Sequence, residues 1–334
     1  MVRAVASAPG KLVILGEYAV LANAPALVMA VDRRCRAEIL ASNNSVCHLQ
    51  SMAEAERRVI FRRRARSGLA LVDRVVEAYP ASDAAGWRGV LDSSGLHREG
   101  RKLGLGSSAA ALTAWSGAWL AWTGQGTAEA RPDVLQGFIE THRVWQGGTG
   151  SGLDVAASFH GGVIRFRLDE ETGPQVERAK LPAGVGFVSV FVRTSASTQR
   201  HVAQFRVRAA ESPASAAFWM DALDRLAETG IDRAAADDAD GFLDAIRDYA
   251  GGLQALGEWM GAAIFTPEHL RMLRLAERFG LAYKVSGAGG GDLGLAFGAD
   301  PEALARFRKA ADERYDTIDL TVDPLGLDVE IVDR

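Results

Sequence analysis

The stretch Lys102-Leu103-Gly104-Leu105-Gly106-Ser107-Ser108-Ala109-Ala110 constrains the chain more than any other. Gly104 and Gly106 let the backbone turn without Cβ clashes. Ser107 and Ser108 are residue types that start helices as N-caps. Beyond them Leu112, Trp115, Trp119 and Trp122 recur at steps of three, four and three, the apolar stripe of an amphipathic helix. The glycines therefore precede a helix N-terminus. Unpaired N–H groups and the positive end of the helix dipole make such a place suitable for a phosphate. The spacing is not GxxxxGK[ST], and Ala109 stands where GxGxxG needs its third glycine. A plain turn before a helix would look the same, so the reading depends on the rest of the chain.

Two further glycine-rich segments supply that company. Gln146-Gly147-Gly148-Thr149-Gly150-Ser151-Gly152-Leu153-Asp154 holds four glycines in the six residues 147–152 and cannot be helical. Asp154 then opens a short helix, either as its N-cap or as a carboxylate held near a substrate hydroxyl. Near the far end, Ser286-Gly287-Ala288-Gly289-Gly290-Gly291-Asp292-Leu293-Gly294 has five glycines in nine residues, where backbone can approach a ligand closely. At the start, Pro9-Gly10 marks a turn, Lys11 follows it, and Leu12–Leu15 is apolar. Lys11 is either a surface lysine with a buried stem or a cation placed to meet a phosphate.

The remaining pattern alternates strands and helices. Strands are expected over 2–7, 26–40, 90–94, 163–168, 187–192, 318–322 and 329–332. Helices are expected over 69–79, 131–145 (with Pro132 in its first turn), from 154 to Gly161, across 201–280, and from 301 to 315. Pro174 and Pro182 mark a linker around 172–184, so the domains are expected at 1–178 and 179–334. Arg193-Thr194-Ser195-Ala196-Ser197-Thr198-Gln199-Arg200 reads as a hydroxyl-rich loop ahead of a long helix, a capped start or a polar clamp. Arg57, Arg58, Arg62, Arg63, Arg64 and Arg66 crowd one segment, a solvated face or a patch attractive to anions.

Bulk properties exclude several classes. The 334 residues are 48% hydrophobic and 24% charged, which suits two folded domains rather than disorder. A net charge of −4 argues against a nucleic-acid partner. Only Cys35 and Cys47 are present, without metal-like spacing, and no leader-like or membrane-spanning apolar run occurs. A cytoplasmic location is expected.

Taken together, the motifs resemble the three signatures of the GHMP kinases, the family of galactokinase, homoserine kinase, mevalonate kinase and phosphomevalonate kinase. Pro9-Gly10-Lys11 with Gly16-Glu17-Tyr18-Ala19-Val20-Leu21 is similar to the first, Gly104–Ala109 to the second and Ser286–Asp292 to the third. Gly16-Glu17-Tyr18, Gly150–Ala156 and Gly289–Asp292 resemble the phosphomevalonate kinase branch. The resemblance implies an α+β, two-domain GHMP kinase fold, with a ribosomal protein S5 domain 2-like N-domain and a ferredoxin-like C-domain. It implies ATP-dependent phosphorylation of (R)-5-phosphomevalonate, with mevalonate kinase or another small-molecule kinase as the alternative. Diphosphomevalonate decarboxylase and a silent nucleotide sensor stand further off.

The family's roles then fall on particular residues. Lys11 and Asp154 become the catalytic candidates. Lys102, Gly104, Leu105, Gly106, Ser107, Ser108 and Ala109 would hold ATP, with Ser108 also a ligand of Mg²⁺. Ser151, Ser197, Thr198, Arg200, Ser286, Gly287, Ala288, Gly289 and Gly290 would meet the substrate. Two segments depart from the family. Arg143 stands eleven residues before Asp154, where mevalonate kinases carry a glutamate, and Arg193-Thr194 replaces a frequent Gly-Lys. The expected partners are the small substrate and ATP, with no nucleic acid and no membrane, in a monomer or homodimer.

Overall fold

A computed structural model describes residues 2–42, 44–81, 86–126, 133–148, 150–169, 171–193 and 198–333. The chain forms two compact units that interleave along the sequence. The first comprises Met1–Lys11, Ala30–Gly162 and Val322–Arg334; the second comprises Leu12–Met29 and Val163–Thr321.

In the first unit the strands run in the order Asp328–Asp333, Val2–Leu15 (its residues 2–11), Ala26–Ala41 (its residues 30–41), Trp87–Asp92, Val46–Met52 and Glu56–Arg62. Beyond Val31 the third of these alternates: Cys35, Ala37 and Ile39 point into the core while Arg36 is exposed. That is the period of a half-buried strand. Helices Ala70–Ala78, Ser107–Trp122, Val134–Trp145 and Leu153–His160 belong to the same unit. Ser107–Trp122 is buried from Ala109 through Ala121, not along one stripe as expected. Small residues on its other faces make this possible: a Cβ on Gly117 would lie 2.9 Å from Leu327. A helix apolar all round is a core helix.

The second unit carries an antiparallel sheet ordered Ala282–Val285, Leu293–Gly298, Gly186–Phe191 and Asp316–Ile318. Helices Thr198–Glu211, Pro213–Ala235, Ala239–Met260, Pro267–Arg278 and Pro301–Ala311 accompany it. Pro267 and Pro301 occupy first turns, where a missing N–H costs nothing, and Thr266 and Asp300 cap those helices with their side chains.

Local expectations fail in instructive places. Pro9-Gly10 is not a turn, because strand Val2–Leu15 runs straight through it and carries Lys11 in mid-strand. The stretch 172–184 is not simply a linker. Among the described residues Gly173–Ala179 is a strand that pairs only with Val163–Asp169, and an edge strand tolerates Pro174. Strands Val46–Met52 and Glu56–Arg62 are additional to those expected. The helix expected from 131 is described from Val134, and Arg131 and Pro132 lie outside the described residues.

Candidate active site

The glycine turn of the first unit is built by backbone conformation. Gly104 has φ 76° and Gly106 φ 70°, a region that L side chains rarely adopt. Gly106, not a serine, is the N-cap of Ser107–Trp122, and no side chain caps that end. Ser107 and Ser108 are instead the first helical residues, so their hydroxyls are not spent on capping. The helix N-terminus thus has the polarity expected of an anion site.

Strand Val2–Leu15 brings Lys11 to this turn. Its N–H donates to Leu105 O at 2.9 Å. A Cβ on Gly106 would lie 3.0 Å from Lys11 Cε and 3.2 Å from its Cγ, so the missing side chain is what lets the lysine stem cross the turn. Lys11 is 5% exposed. Its Nζ lies 3.5 Å from Asp154 Oδ1.

Asp154 reaches that position from a second glycine-shaped start. Helix Leu153–His160 is capped by Gly152 at φ 89°, and Asp154 is its second residue. The capping reading of Asp154 therefore fails, and its carboxylate faces a buried cation. Ser151 is buried beside it, its hydroxyl accepting from Leu153 N at 3.4 Å. Arg143, the departure from the family pattern, donates to Gly150 O at 2.8 Å and Ser151 O at 3.3 Å, which ties down the loop entering this helix.

Sequence reading missed His142. Its Nε2 lies 3.3 Å from Ser108 Oγ, and burial pushes its pKa below the usual histidine value while Asp154 opposes that shift. Lys102 sits on the short strand Arg101–Lys102, exposed, 3.9 Å from Glu54. In the first unit the structure therefore gathers Lys11, Gly104–Ala109, Ser108, Asp154 and His142, with Lys102 on the approach to the turn.

The second unit holds the third motif together with the Gly16-Glu17-Tyr18 corner. Lys284 is fully buried and ion-pairs with the buried Glu17. Lys284 Nζ also donates to Val285 O at 2.6 Å, and Gly287 N–H donates to Glu17 Oε1 at 3.3 Å. Ser286 Oγ accepts from Val13 N at 2.9 Å. Tyr18, at φ 63°, donates its hydroxyl to Ala288 O at 2.7 Å, and Tyr249 donates to Glu17 O at 2.8 Å. Burial raises the pKa of both phenols, which keeps them neutral donors. Gly289 fits because a Cβ there would meet Ile264 O at 2.5 Å, and Gly290 N–H donates to the same oxygen at 2.8 Å. Arg200 lies exposed on helix Thr198–Glu211. Thr198 begins that helix but its side chain lies outside the described residues, as does the whole of Ser197.

Residues 234–317 match the family model described as GHMP kinases C terminal. The whole chain has the fold of a solved phosphomevalonate kinase from Streptococcus pneumoniae, in complex with phosphomevalonate and AMPPNP. That match has a TM-score of 0.81 at 16% identity, over 95% of this chain and 99% of that one. Residues 234–317 are thus similar to the C-terminal domain of the GHMP kinases, and the chain as a whole has their fold. Among curated proteins, this chain is 29% identical over 341 residues to a phosphomevalonate kinase of Streptomyces sp. (strain CL190), covering 89% of this chain and 90% of that protein. It is 31% identical over 170 residues to a mevalonate kinase of Aeropyrum pernix, covering 49% of this chain and 51% of that protein. The α+β GHMP kinase fold expected from the motifs is the observed one.

Metal ligation has few side chains to draw on among the described residues. Among the described residues no group of three His, Cys, Asp or Glu side chains is placed to hold a metal ion. What remains is the uncapped hydroxyl of Ser108 and the carboxylate of Asp154. A sparse oxygen set fits Mg²⁺, which keeps several waters and takes most of its remaining ligands from phosphates. Among the described residues no helix is long and apolar enough to cross a membrane.

Proposed function

We propose that this kinase transfers the γ-phosphoryl group of ATP to (R)-5-phosphomevalonate, giving (R)-5-diphosphomevalonate and ADP. The observation that carries the phosphotransfer reading is the buried Lys11, which joins the uncapped glycine turn at Leu105 to the carboxylate of Asp154. The choice of acceptor rests on the phosphomevalonate kinase relative, which spans 89% of this chain. Two mevalonate kinase relatives, one 31% identical over 49% of this chain and one 26% identical over 88% of it, make mevalonate the second reading.

Phosphoryl transfer asks a protein for positioning and charge stabilisation more than for covalent chemistry. In this reading the triphosphate lies on the Gly104–Ser108 turn, where backbone N–H groups and the helix dipole meet its charge. Lys102, Leu105 and Ala109 belong to the same cradle. An acceptor phosphate oxygen bonds to Pγ, the bond from Pγ to the β–γ bridging oxygen breaks, and ADP leaves. Lys11 holds its ammonium against the transferred group, which offsets the repulsion between two polyanions. Asp154 orients the attacking oxygen and, for an alcohol acceptor, takes its proton. A phosphate monoester has its second pKa near about 6 and is already mostly ionised at neutral pH. Asp154 is then less needed as a base than Lys11 is as a cation. Ser108 and Asp154 would hold Mg²⁺, which when bound neutralises phosphate charge.

The main chain of Ser286–Gly290 and the side chains of Ser151, Ser197, Thr198 and Arg200 are proposed to bind substrate oxygens. The division into modules at 1–178 and 179–334 belongs to the same proposal. A coupled ADP-release assay with ATP and Mg²⁺, run in parallel on (R)-mevalonate and (R)-5-phosphomevalonate, tests it. Turnover on phosphomevalonate alone is expected. Turnover on mevalonate alone would overturn the acceptor assignment, and silence on both would overturn the activity.

A further inference from the structure

The first unit contains a cavity of about 390 Å³ that the proposed phosphotransfer does not use. Its floor is aromatic and aliphatic: Phe61, Trp87, Trp119, Val72 and Val76. Trp87 meets Phe61 edge-on at 5.4 Å between centroids and Trp119 edge-on at 6.0 Å. Trp119 is further fixed by its Nε1–H, which donates to Tyr79 O at 2.8 Å. These rings are a rigid wall, not a fluid apolar patch.

The rim is basic. Arg63, Arg64 and Arg66 line it together with Asp73 and Glu77. Both acids are already engaged. Asp73 accepts from Ser67 N and Oγ, both at 2.7 Å, and from Gly68 N at 3.1 Å. Glu77 is shared between Arg66 at 2.8 Å and Arg74 at 2.9 Å. Among the described residues neither Arg63 nor Arg64 forms an ion pair. Two uncompensated guanidiniums therefore stand over an apolar floor, and guanidinium forks match phosphate oxygens.

This cavity is remote from the glycine turn. Strand Val46–Met52 runs parallel to Trp87–Asp92 and antiparallel to Glu56–Arg62. Trp87, Val46 and Arg62 consequently share one end of the strands, and Asp92, Met52 and Glu56 the other. The chain leaves for the glycine turn from the Asp92 end, where Ser93 N donates to Met52 O at 2.8 Å and Lys102 meets Glu54 at 3.9 Å. Five residues of strand separate Asp92 from Trp87, about 17 Å. Twelve residues of helix separate Ser107 from Trp119, about 18 Å. Both measures put the cavity beyond the length of a triphosphate bound at the turn.

We infer that this cavity is a second ligand site, for an organic phosphate monoester whose phosphate sits on Arg63 and Arg64 and whose ring or short apolar body lies on Trp87 and Trp119. Its volume is in the range of small-molecule sites. The site gives a role to Arg63 and Arg64, two members of the arginine cluster at 57–66 that the proposed reaction does not use.

The test is calorimetric titration of the full chain with 1-naphthyl phosphate, carried out with AMPPNP saturating the nucleotide turn. Inorganic phosphate and 1-naphthol serve as the two halves of the probe. The expected result is 1:1 binding of naphthyl phosphate, at least tenfold tighter than either half, that weakens at least tenfold in Arg63→Ala/Arg64→Ala. That double variant should keep its ADP-release rate within twofold of the parent, which shows it folded. Absence of binding, binding indifferent to the two arginines, or binding seen only without AMPPNP would each overturn the inference.

Discussion

Lys284 and Glu17 form an ion pair across 267 residues of sequence, with side chains 0% and 2% exposed. Burying two charges costs several kcal/mol each, and only close pairing with added hydrogen bonds offsets it. Here Val285 O and Gly287 N–H supply those bonds. The pair ties the first-motif corner to the third-motif loop inside one unit. Lys284→Met leaves the carboxylate buried without its cation, and a loss of about 3–5 kcal/mol in urea unfolding is expected. Adding Glu17→Gln to that variant should recover more than half of the loss. Simple additivity of the two single variants would show that the pair is not coupled.

At the other motif cluster the order of two effects reports the acceptor. With Lys11 Nζ 3.5 Å from Asp154 Oδ1, either residue can be removed singly. If the acceptor is a phosphate, Lys11→Ala should lower kcat by about 10²–10³, the range for removing one electrostatic stabiliser of a transition state. Asp154→Asn should cost less. Comparing kcat of the two variants on phosphomevalonate checks this. The reverse order would point to an alcohol whose proton needs a base.

Gly106 is a geometric requirement of the turn. Alanine there must adopt φ near 70° and would place its Cβ 3.0 Å from Lys11 Cε. The backbone strain alone is about 1–2 kcal/mol. We expect Gly106→Ala to raise KM for ATP at least tenfold while KM for the acceptor changes less than threefold. Equal changes in both would mean that the turn does not bind nucleotide.

The glycine turns were legible because positive-φ positions demand glycine, and Gly104, Gly106 and Gly152 all take that conformation. Asp154 and Lys11 were legible as candidates, but their proximity was not, since nothing local joins a strand at 11 to a helix at 154. The Glu17–Lys284 pair stayed hidden for the same reason, although a lysine inside the apolar run Ala282-Tyr283-Lys284-Val285 is a signal of a paired buried charge. Glu56–Arg62 is an edge strand whose sequence shows no polar–apolar alternation, since Arg57-Arg58 and Val59-Ile60-Phe61 run consecutively, so it read only as a solvated strand or loop face. The interleaving of the two units could not be read from a linear scan, because it depends on which strands pair.

A buried histidine gives the fold a pH dependence of definite sign. His269 is fully buried, with Nε2 3.0 Å from Gly291 O and Nδ1 2.7 Å from the Tyr283 hydroxyl. A carbonyl can only accept, so Nε2 carries the proton and Nδ1 accepts from tyrosine. Protonating Nδ1 would need a second acceptor and an unpaired buried charge, and burial accordingly lowers the pKa to about 4. The unfolded chain has a histidine pKa of about 6.5 and therefore binds the proton first. Stability is full above about 6.5 and falls as pH drops toward about 4, by about 1.4 kcal/mol per pH unit. Between pH 6.5 and 5 the loss from this residue should be about 2 kcal/mol in urea unfolding. His269→Gln should abolish that part of the slope, because glutamine does not titrate. An unchanged slope in the variant would assign the pH dependence to other groups.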